Sequence, residues 1–259
     1  PLIKKLLPQS YDTVLEPFAG GAAVSFALAD RCILNDMNDA LINMYRQVSH
    51  PTTFHEVFSH VNWLKTLEHD DLSVQYYKAR DYINGGHVDP YTWAISYITV
   101  RQLCFSGMER YNKAGKFNVP YGHYKKFSCN LDWNHMKFLH QSGSSIFHGD
   151  FERIFDMAGK NDFIFIDPPY LDRLGYAHGN DTLHERLVSC MKKSKAKWLF
   201  IHSDNDFYRD ALSDYHIFYK QFGYAQRFGK NKNHDAAHVS HMYVTNYEDD
   251  MTLHRVNNA

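Results

Sequence analysis

Little in this chain points to a metal, a disulfide framework or a membrane. Its 259 residues hold four cysteines, Cys32, Cys104, Cys129 and Cys190, far apart and without a CxxC pair. That spacing excludes a disulfide scaffold or zinc ribbon and argues for reduced, structural thiols in an intracellular protein. Seventeen histidines are scattered with neither HExxH nor Cys/His ligand spacing, so no metal site is expected. His234, His238 and His241 could share a face, but a solvated polar loop is their expected setting. No apolar run approaches the roughly 20 residues of a membrane span, and no charged-then-apolar segment has the form of a leader. Repeats are absent, and low complexity is confined to about 227–238, expected to be a mobile loop. The formal net charge of −1 argues against indiscriminate polyanion binding but leaves room for a local basic face.

What is there is ordinary in bulk and unusual in one place. With 44% hydrophobic and 22% charged residues, the chain suits a soluble protein of one large domain, or a core with an insertion. The unusual place is Asp167-Pro168-Pro169-Tyr170, directly after the apolar run Phe163-Ile164-Phe165-Ile166. Two prolines can neither continue a helix nor donate to a sheet ladder, so the tetrapeptide must leave a strand end as a stiff loop. A carboxylate, rigid carbonyl acceptors and an aromatic face then crowd the carboxyl end of a strand, where open α/β sheets place their ligands. Such a set suits a planar base held by its exocyclic amine. On these four residues alone, a Pro-Pro turn with an incidental acid stands equally open.

The surrounding pattern alternates. A strand at 13–16, a glycine-rich turn, a helix at 22–29, a strand at 32–35 and a helix at 42–48 open the chain. From 51 to about 101 the pattern turns helical, including 54–67 and 91–103. After a helix near 131–140, strands are expected at 146–147, 163–166, 198–202, 216–222 and 242–245, with helices at 183–193 and 207–212. This predicts an α/β, doubly wound, mostly parallel sheet carrying an inserted helical domain. The expected division is 1–50 with 144–259 as catalytic core, and 51–143 as the insertion.

Two further segments carry chemistry. Glu16-Pro17-Phe18-Ala19-Gly20-Gly21 follows the first strand, where glycine lets the backbone approach a ligand and the next helix presents its positive amino end. Asp36 ends the second strand, twenty residues beyond Glu16, the placement that binds ribose hydroxyls in dinucleotide folds. Carboxylates suit a cationic, ribose-bearing cofactor with an amino-acid tail better than a pyrophosphate. The second segment, 101–126, holds six Lys/Arg (Arg101, Arg110, Lys113, Lys116, Lys125, Lys126) against one acid, Glu109. Phe105, Tyr111, Phe117, Tyr121 and Tyr124 are interleaved with them. Basic residues contact phosphates, aromatics stack on or wedge between bases, and an arginine on a loop can read guanine. Composition alone favours a plainer hairpin with aromatics on the core and solvated lysines.

In this order the segments resemble the Dam-type DNA adenine-N6 methyltransferases, the D12 class of bacteria and phages. The cofactor motif matches at Glu16-Pro-Phe18-Ala-Gly20-Gly21 and the second-strand acid at Asn35-Asp36. The recognition loop matches at Phe105-Ser-Gly-Met108-Glu-Arg110-Tyr-Asn, continuing through Gly115 to Lys126, and the catalytic motif at Asp167-Pro-Pro-Tyr170. DPPY alone also occurs in RNA methyltransferases, and NPPY in protein-glutamine methyltransferases, which remain the alternative reading. They would not need the 101–126 loop.

The resemblance implies a Rossmann-like fold and methyl transfer from S-adenosyl-L-methionine to N6 of an adenine flipped out of double-stranded DNA, in GATC or a related site. No membrane or metal is implied. A monomer, or two copies on a palindromic site, in the cytoplasm of a bacterium or phage-infected cell, would fit. Glu16 would face the methionine amino group, Phe18 and Gly20 line that pocket, Asp36 bind the ribose, and Asp150 and Phe151 lie beside the cofactor adenine. Asp167, Pro168, Pro169 and Tyr170 would hold the target base, with Asp167 also near the cofactor. Arg110 would read the first guanine and Phe105 insert where the target base has left. Met108, Pro120 and Tyr124 would contact other base pairs, with Ser106, Asn112, Lys125 and Lys126 also on the DNA. Two features depart from the family pattern. Pro1-Leu2-Ile3 corresponds to residues just after an aromatic and Gly-Gly-Lys-like motif, so a chain trimmed at its amino end is expected. Glu109 stands where some members carry an apolar residue, which bears on strict GATC specificity.

Overall fold

The computed structural model describes residues 2–86, 89–141, 143–170, 181–224 and 237–248. In chain order the elements are α1 (Leu2–Leu6), β1 (Val14–Glu16), α2 (Ala23–Leu28), β2 (Cys32–Asp36), α3 (Asp39–Ser49), α4 (Pro51–Leu64), α5 (His69–Asn84) and α6 (Pro90–Leu103). A 3-10 turn at Phe105–Gly107 is followed by α7 (Trp133–His140), β3 (Ser145–His148), α8 (Glu152–Met157), β4 (Phe163–Ile166) and α9 (Asp181–Lys193). The chain then runs through β5 (Lys197–Ser203), α10 (Asp206–Ala211), β6 (His216–Tyr224) and β7 (Ala237–Thr245).

The seven strands form one sheet in the order β3-β2-β1-β4-β5-β7-β6. β1 pairs in parallel with β2 and β4, and β4 with β5. β7 lies antiparallel to both β5 and β6. The expected α/β, mostly parallel architecture is therefore present. All four residues of β4 are buried, as befits a central strand of a sheet covered on both faces. Strands β1, β2 and β3 run outward in one direction, and only then does the chain return past β1 to lay down β4 on its other side, which makes the carboxyl ends of β1 and β4 the topological switch point of the sheet.

The chain divides into two compact units, 1–35 with 150–259, and 36–149. The core of the first joins Leu6, Val14, Val24, Phe163, Phe165, Leu199, Ile201, Tyr243 and Tyr247. Helix α1, which periodicity did not predict, adds Leu2 and Ile3, and the Tyr247 hydroxyl donates to the Leu6 carbonyl at 2.6 Å. A five-residue helix is too short for a periodic signal; packing holds it. The second unit is built from helices with explicit starts. The side chain of Asn38 accepts from Leu41 N–H at 3.1 Å to open α3, and Asp89 from Thr92 N–H at 2.8 Å to open α6. Pro51 and Pro90 sit in the first turns of α4 and α6, where a missing N–H costs nothing, so α4 begins earlier than residue 54. Phe54, Val57, Val61, Leu64, Leu72, Tyr76 and Leu103 are buried in this unit.

The polar loop expected at about 227–238 lies largely outside the described residues. Its last two positions belong to β7, which begins at Ala237 rather than at 242, because the ladder with β6 runs on to Tyr224 opposite Ala237.

Candidate active site and recognition hairpin

In the first unit, β1 ends in a buried acid. Glu16 is 2% exposed. The turn that follows passes through two left-handed residues, Gly20 (φ 46°) and Ala22 (φ 47°). This curls the start of α2 back so that Ser25 N–H donates to Glu16 Oε1 at 2.7 Å. The carboxylate thus takes one of the amide donors that a helix start leaves without an intrahelical partner. Burial pushes the Glu16 carboxyl up to about 7; the Ser25 N–H pulls it down, and the neighbouring Asp167 charge adds to the rise.

β4 delivers the DPPY tetrapeptide beside it. Asp167 is exposed, Pro168 buried, Pro169 exposed and Tyr170 half-buried. The Tyr170 ring is met edge-on by two imidazoles, His202 of β5 at 5.0 Å between centroids and His241 of β7 at 5.9 Å. His202 is fully buried and lies parallel to Phe200, with Asn205 Nδ2 at 3.0 Å from its Nδ1. Behind it, buried His184 is hydrogen-bonded through Nδ1 to the Tyr208 hydroxyl. His241 therefore belongs to a buried strand, not to a solvated loop. Burial lowers its pKa.

Phe18 packs on Phe151 with ring centroids 5.2 Å apart, bringing together two residues expected at the cofactor. Asp150 has a structural task as well. Its Oδ1 accepts from Glu152 N–H at 3.0 Å and its Oδ2 from Arg186 at 2.8 Å. Arg186 also donates to Glu152 Oε1 at 2.7 Å and lies over the Phe151 ring at 5.2 Å. Burial works against ionisation of Asp150, but these donors outweigh it and lower its pKa.

In the second unit, Asp36 Oδ1 accepts from Asn38 N–H at 2.9 Å. The segment after α6 is a hairpin. Bridges join Cys104 to Tyr121 and Tyr111 to Phe117, and Asn118 N–H donates to the Arg110 carbonyl at 3.1 Å. Asn84 pins it by imitating a strand: its side chain donates to the Phe117 carbonyl at 3.0 Å and accepts from Phe117 N–H at 2.8 Å. The Tyr76 hydroxyl holds the Val119 carbonyl at 2.6 Å. The plainer reading of the aromatics holds for two of them, since Phe117 and Tyr121 are each only 2% exposed. Phe105 is half-buried, and Met108, Tyr111 and Tyr124 are exposed, as are Ser106, Arg110, Pro120, Lys125 and Lys126. Ser106 is left-handed (φ 54°). Arg110 Nε donates to Asn118 Oδ1 at 2.8 Å, and a terminal nitrogen lies 3.3 Å from the Asn118 carbonyl. Asn112 closes the hairpin tip, its Oδ1 accepting from the N–H of Ala114 and of Lys116.

A family model described as D12 class N6 adenine-specific DNA methyltransferase matches residues 1–226. The chain belongs to that family. As an adenine-specific DNA methyltransferase it has relatives across viruses, phages and bacteria. The type II methyltransferase M.CviBI of Paramecium bursaria Chlorella virus NC1A is 30% identical over 252 residues, 93% of this chain and 92% of that protein. The DNA adenine methylase of Haemophilus influenzae is 29% identical over 228 residues, 82% and 77% of the two chains. The DNA N-6-adenine-methyltransferase of Escherichia phage P1 is 38% identical over 175 residues, 65% of this chain and 22% of that protein.

The methyltransferase has features around this candidate site that sequence reading missed. His202, His241, His184 and Tyr208 come from β5, β7, α9 and α10 and share no local motif. Arg186 reaches Asp150 across 36 positions. Among the described residues there is no group of His, Cys, Asp and Glu able to hold a metal ion, and no helix long and apolar enough to cross a membrane.

Proposed function

We propose that this methyltransferase moves the methyl group of S-adenosyl-L-methionine to N6 of an adenine flipped out of duplex DNA, at GATC or a related site. The observation that carries the reading is the pairing of a buried Glu16 with the DPPY acid at the switch point of the sheet, since burial leaves a carboxylate that gains most from a cationic partner. The chain's donor set fits the cofactor. Glu16 would take the methionine ammonium, and Asp36, its Oδ1 oriented by Asn38, the ribose hydroxyls. Phe18 and Gly20 would line the pocket, with Phe151, steadied by Arg186, and Asp150 beside the adenine ring.

Bound there, the sulfonium supplies an electrophilic methyl group. The chain's residues prepare the amine. The adenine N6 lone pair is delocalised into the ring and is a poor nucleophile. Hydrogen bonds from its two N–H groups to the Asp167 carboxylate and the Pro168 carbonyl would localise that pair, positioning and electrostatics would do the rest, and the one proton N6 loses on methylation would leave by way of Asp167 to solvent. Tyr170, steadied by His202 and His241, stacks on the flipped base. The hairpin reads the site: Arg110 takes the first guanine, Phe105 fills the vacated stack, and Met108, Pro120 and Tyr124 meet other base pairs. Ser106, Asn112, Lys125 and Lys126 complete the contact. The exposed, pre-set Arg110 guanidinium supports duplex DNA over RNA or protein as substrate.

The test is methyl incorporation into duplex DNA, RNA and protein, followed by sequencing of methylated adenines in DNA from cells expressing the chain. N6-methyladenine at one short motif, lost in Asp167→Ala, is the expected result. Incorporation into RNA or protein instead would overturn the reading.

A further inference from the structure

Glu109 is the acid that does not belong in a DNA-reading loop, and its surroundings assign it another task. Its Oε1 accepts from Asn38 Nδ2 at 2.6 Å and from the Tyr111 hydroxyl at 2.8 Å, with the Tyr97 hydroxyl at 3.5 Å. Its Oε2 faces an Arg101 terminal nitrogen at 3.4 Å, and the same nitrogen donates to the Gly107 carbonyl at 3.2 Å. The residue is exposed, yet both carboxylate oxygens are turned to these protein donors, with 27% of the side chain exposed. An acid reading cytosine would have to offer its acceptors to the groove.

The partner at the other end is equally constrained. Asn38 Oδ1 accepts Leu41 N–H at 3.1 Å as the cap of α3, so its NH₂ group must face Glu109. Asn38 N–H donates to Asp36 Oδ1 at 2.9 Å. One residue thus holds both the proposed ribose acid and the acid next to the guanine-reading Arg110. The route is short: Asp36 carboxylate, Asn38 backbone, Asn38 amide, Glu109 carboxylate, hairpin. Tyr97 is buried, and burial raises the pKa of both Tyr97 and Tyr111 before the Glu109 charge adds to it, so both hydroxyls stay protonated donors.

We propose that Glu109 is a positioning residue that straps the recognition hairpin to the turn after Asp36, so that cofactor binding and DNA binding strengthen one another. The proposal rests on the reading of Asp36 and the hairpin given above. A strap of this kind stores no specificity of its own. It makes the state of the Asp36 turn felt at Arg110, and thermodynamic linkage then requires the effect to be reciprocal.

The experiment titrates S-adenosylhomocysteine, which cannot react, into the protein alone and into the protein saturated with a methylatable duplex. Wild type, Asn38→Ser, Glu109→Ala, Glu109→Gln and the double variant Asn38→Ser/Glu109→Ala are compared. Serine still caps a helix but is too short to reach Glu109. The duplex should tighten nucleoside binding at least about fivefold in wild type. In Glu109→Ala, nucleoside affinity without DNA should stay within about twofold while the tightening falls towards none; Asn38→Ser keeps the backbone N–H on Asp36 but not the amide on Glu109, and should lose the same tightening. The double variant should lose no more than either single one, and Glu109→Gln, which keeps an acceptor oxygen, should retain part of the effect. Melting temperatures of the same samples report folding; if Glu109→Ala does not fold, Asn38→Ser and Glu109→Gln decide alone.

Full tightening in the single variants, or losses that simply add, would overturn the strap. So would a change of preference at one base pair in Glu109→Ala with tightening intact, which would make Glu109 a base reader. A wild type that binds both ligands without mutual tightening overturns the coupling alone. One that binds no S-adenosylhomocysteine and methylates no DNA overturns the functional reading beneath it.

Discussion

Glu16 and Asp167 stand at the carboxyl ends of the neighbouring parallel strands β1 and β4, and the Asp167 charge adds to a Glu16 pKa already raised by burial to about 7. The cost of that arrangement has a definite pH dependence. The folded-state pKa lies above the ordinary 4.5, so folded protein holds the proton more tightly than unfolded chain. The penalty is absent below about pH 4.5, grows as pH rises and is complete above about pH 7. Glu16→Gln should therefore stabilise the ligand-free protein by up to about 3 kcal/mol near pH 8 and by little near pH 4, read by urea denaturation. The same variant should lose S-adenosylmethionine binding. In wild type that affinity should weaken by up to about tenfold per pH unit below about pH 7.

His202 and His241 hold the ring that the target adenine is proposed to stack on. Replacing fully buried His202 by alanine opens a cavity and should cost about 2–5 kcal/mol in denaturant unfolding. His202→Phe refills the cavity but is larger than the imidazole and removes the ring nitrogen that meets Asn205 Nδ2, so it should recover only part of that stability. Both variants should lower kcat more than they raise KM for DNA, because Tyr170 loses its lateral support. An unchanged kcat in His202→Ala would separate the histidine from the site. His241 adds an opposite pH trend. Its pKa is lowered from 6.5, so its contribution is complete above about pH 6.5 and shrinks as pH falls below.

Arg110 is pre-set by Asn118, so two variants should share one phenotype at different depths. Arg110→Ala should cost about 1–3 kcal/mol of discrimination at a single guanine. Asn118→Ala removes only the Oδ1 acceptor and should relax preference at the same position by less, since the guanidinium must then be ordered on binding. Relative kcat/KM on duplexes substituted one base pair at a time measures both. Loss spread evenly over all positions would place Arg110 on a phosphate instead.

Gly122 is needed for space. A Cβ there would lie 2.3 Å from Tyr124 Cε2 and 3.1 Å from the Cys104 carbonyl. Gly122→Ala should push the Tyr124 ring away, break its hydroxyl contact to the Cys104 carbonyl and cost about 1–3 kcal/mol of stability. Duplex binding should weaken while S-adenosylhomocysteine binding without DNA stays unchanged. Fluorescence anisotropy with a labelled duplex reads the first, calorimetry the second.

The α/β alternation, the DPPY turn after an apolar strand, the glycine turn after β1 and the acid closing β2 could all be read along the chain. Each is a local matter, in which proline geometry, glycine freedom or a two-residue period acts on neighbours in sequence. The resemblance of the 101–126 hairpin to a recognition loop also lay in a contiguous segment. Tertiary structure alone decided which of its aromatics face solvent and which, like Phe117 and Tyr121, are core. It also decided that Glu109 meets Asn38 across 71 positions, that Arg186 clasps Asp150 across 36, and that imidazoles from β5 and β7 close on Tyr170. Such contacts leave no periodicity, because the energy that selects them comes from burial and hydrogen bonding between elements whose proximity exists only once the sheet has formed.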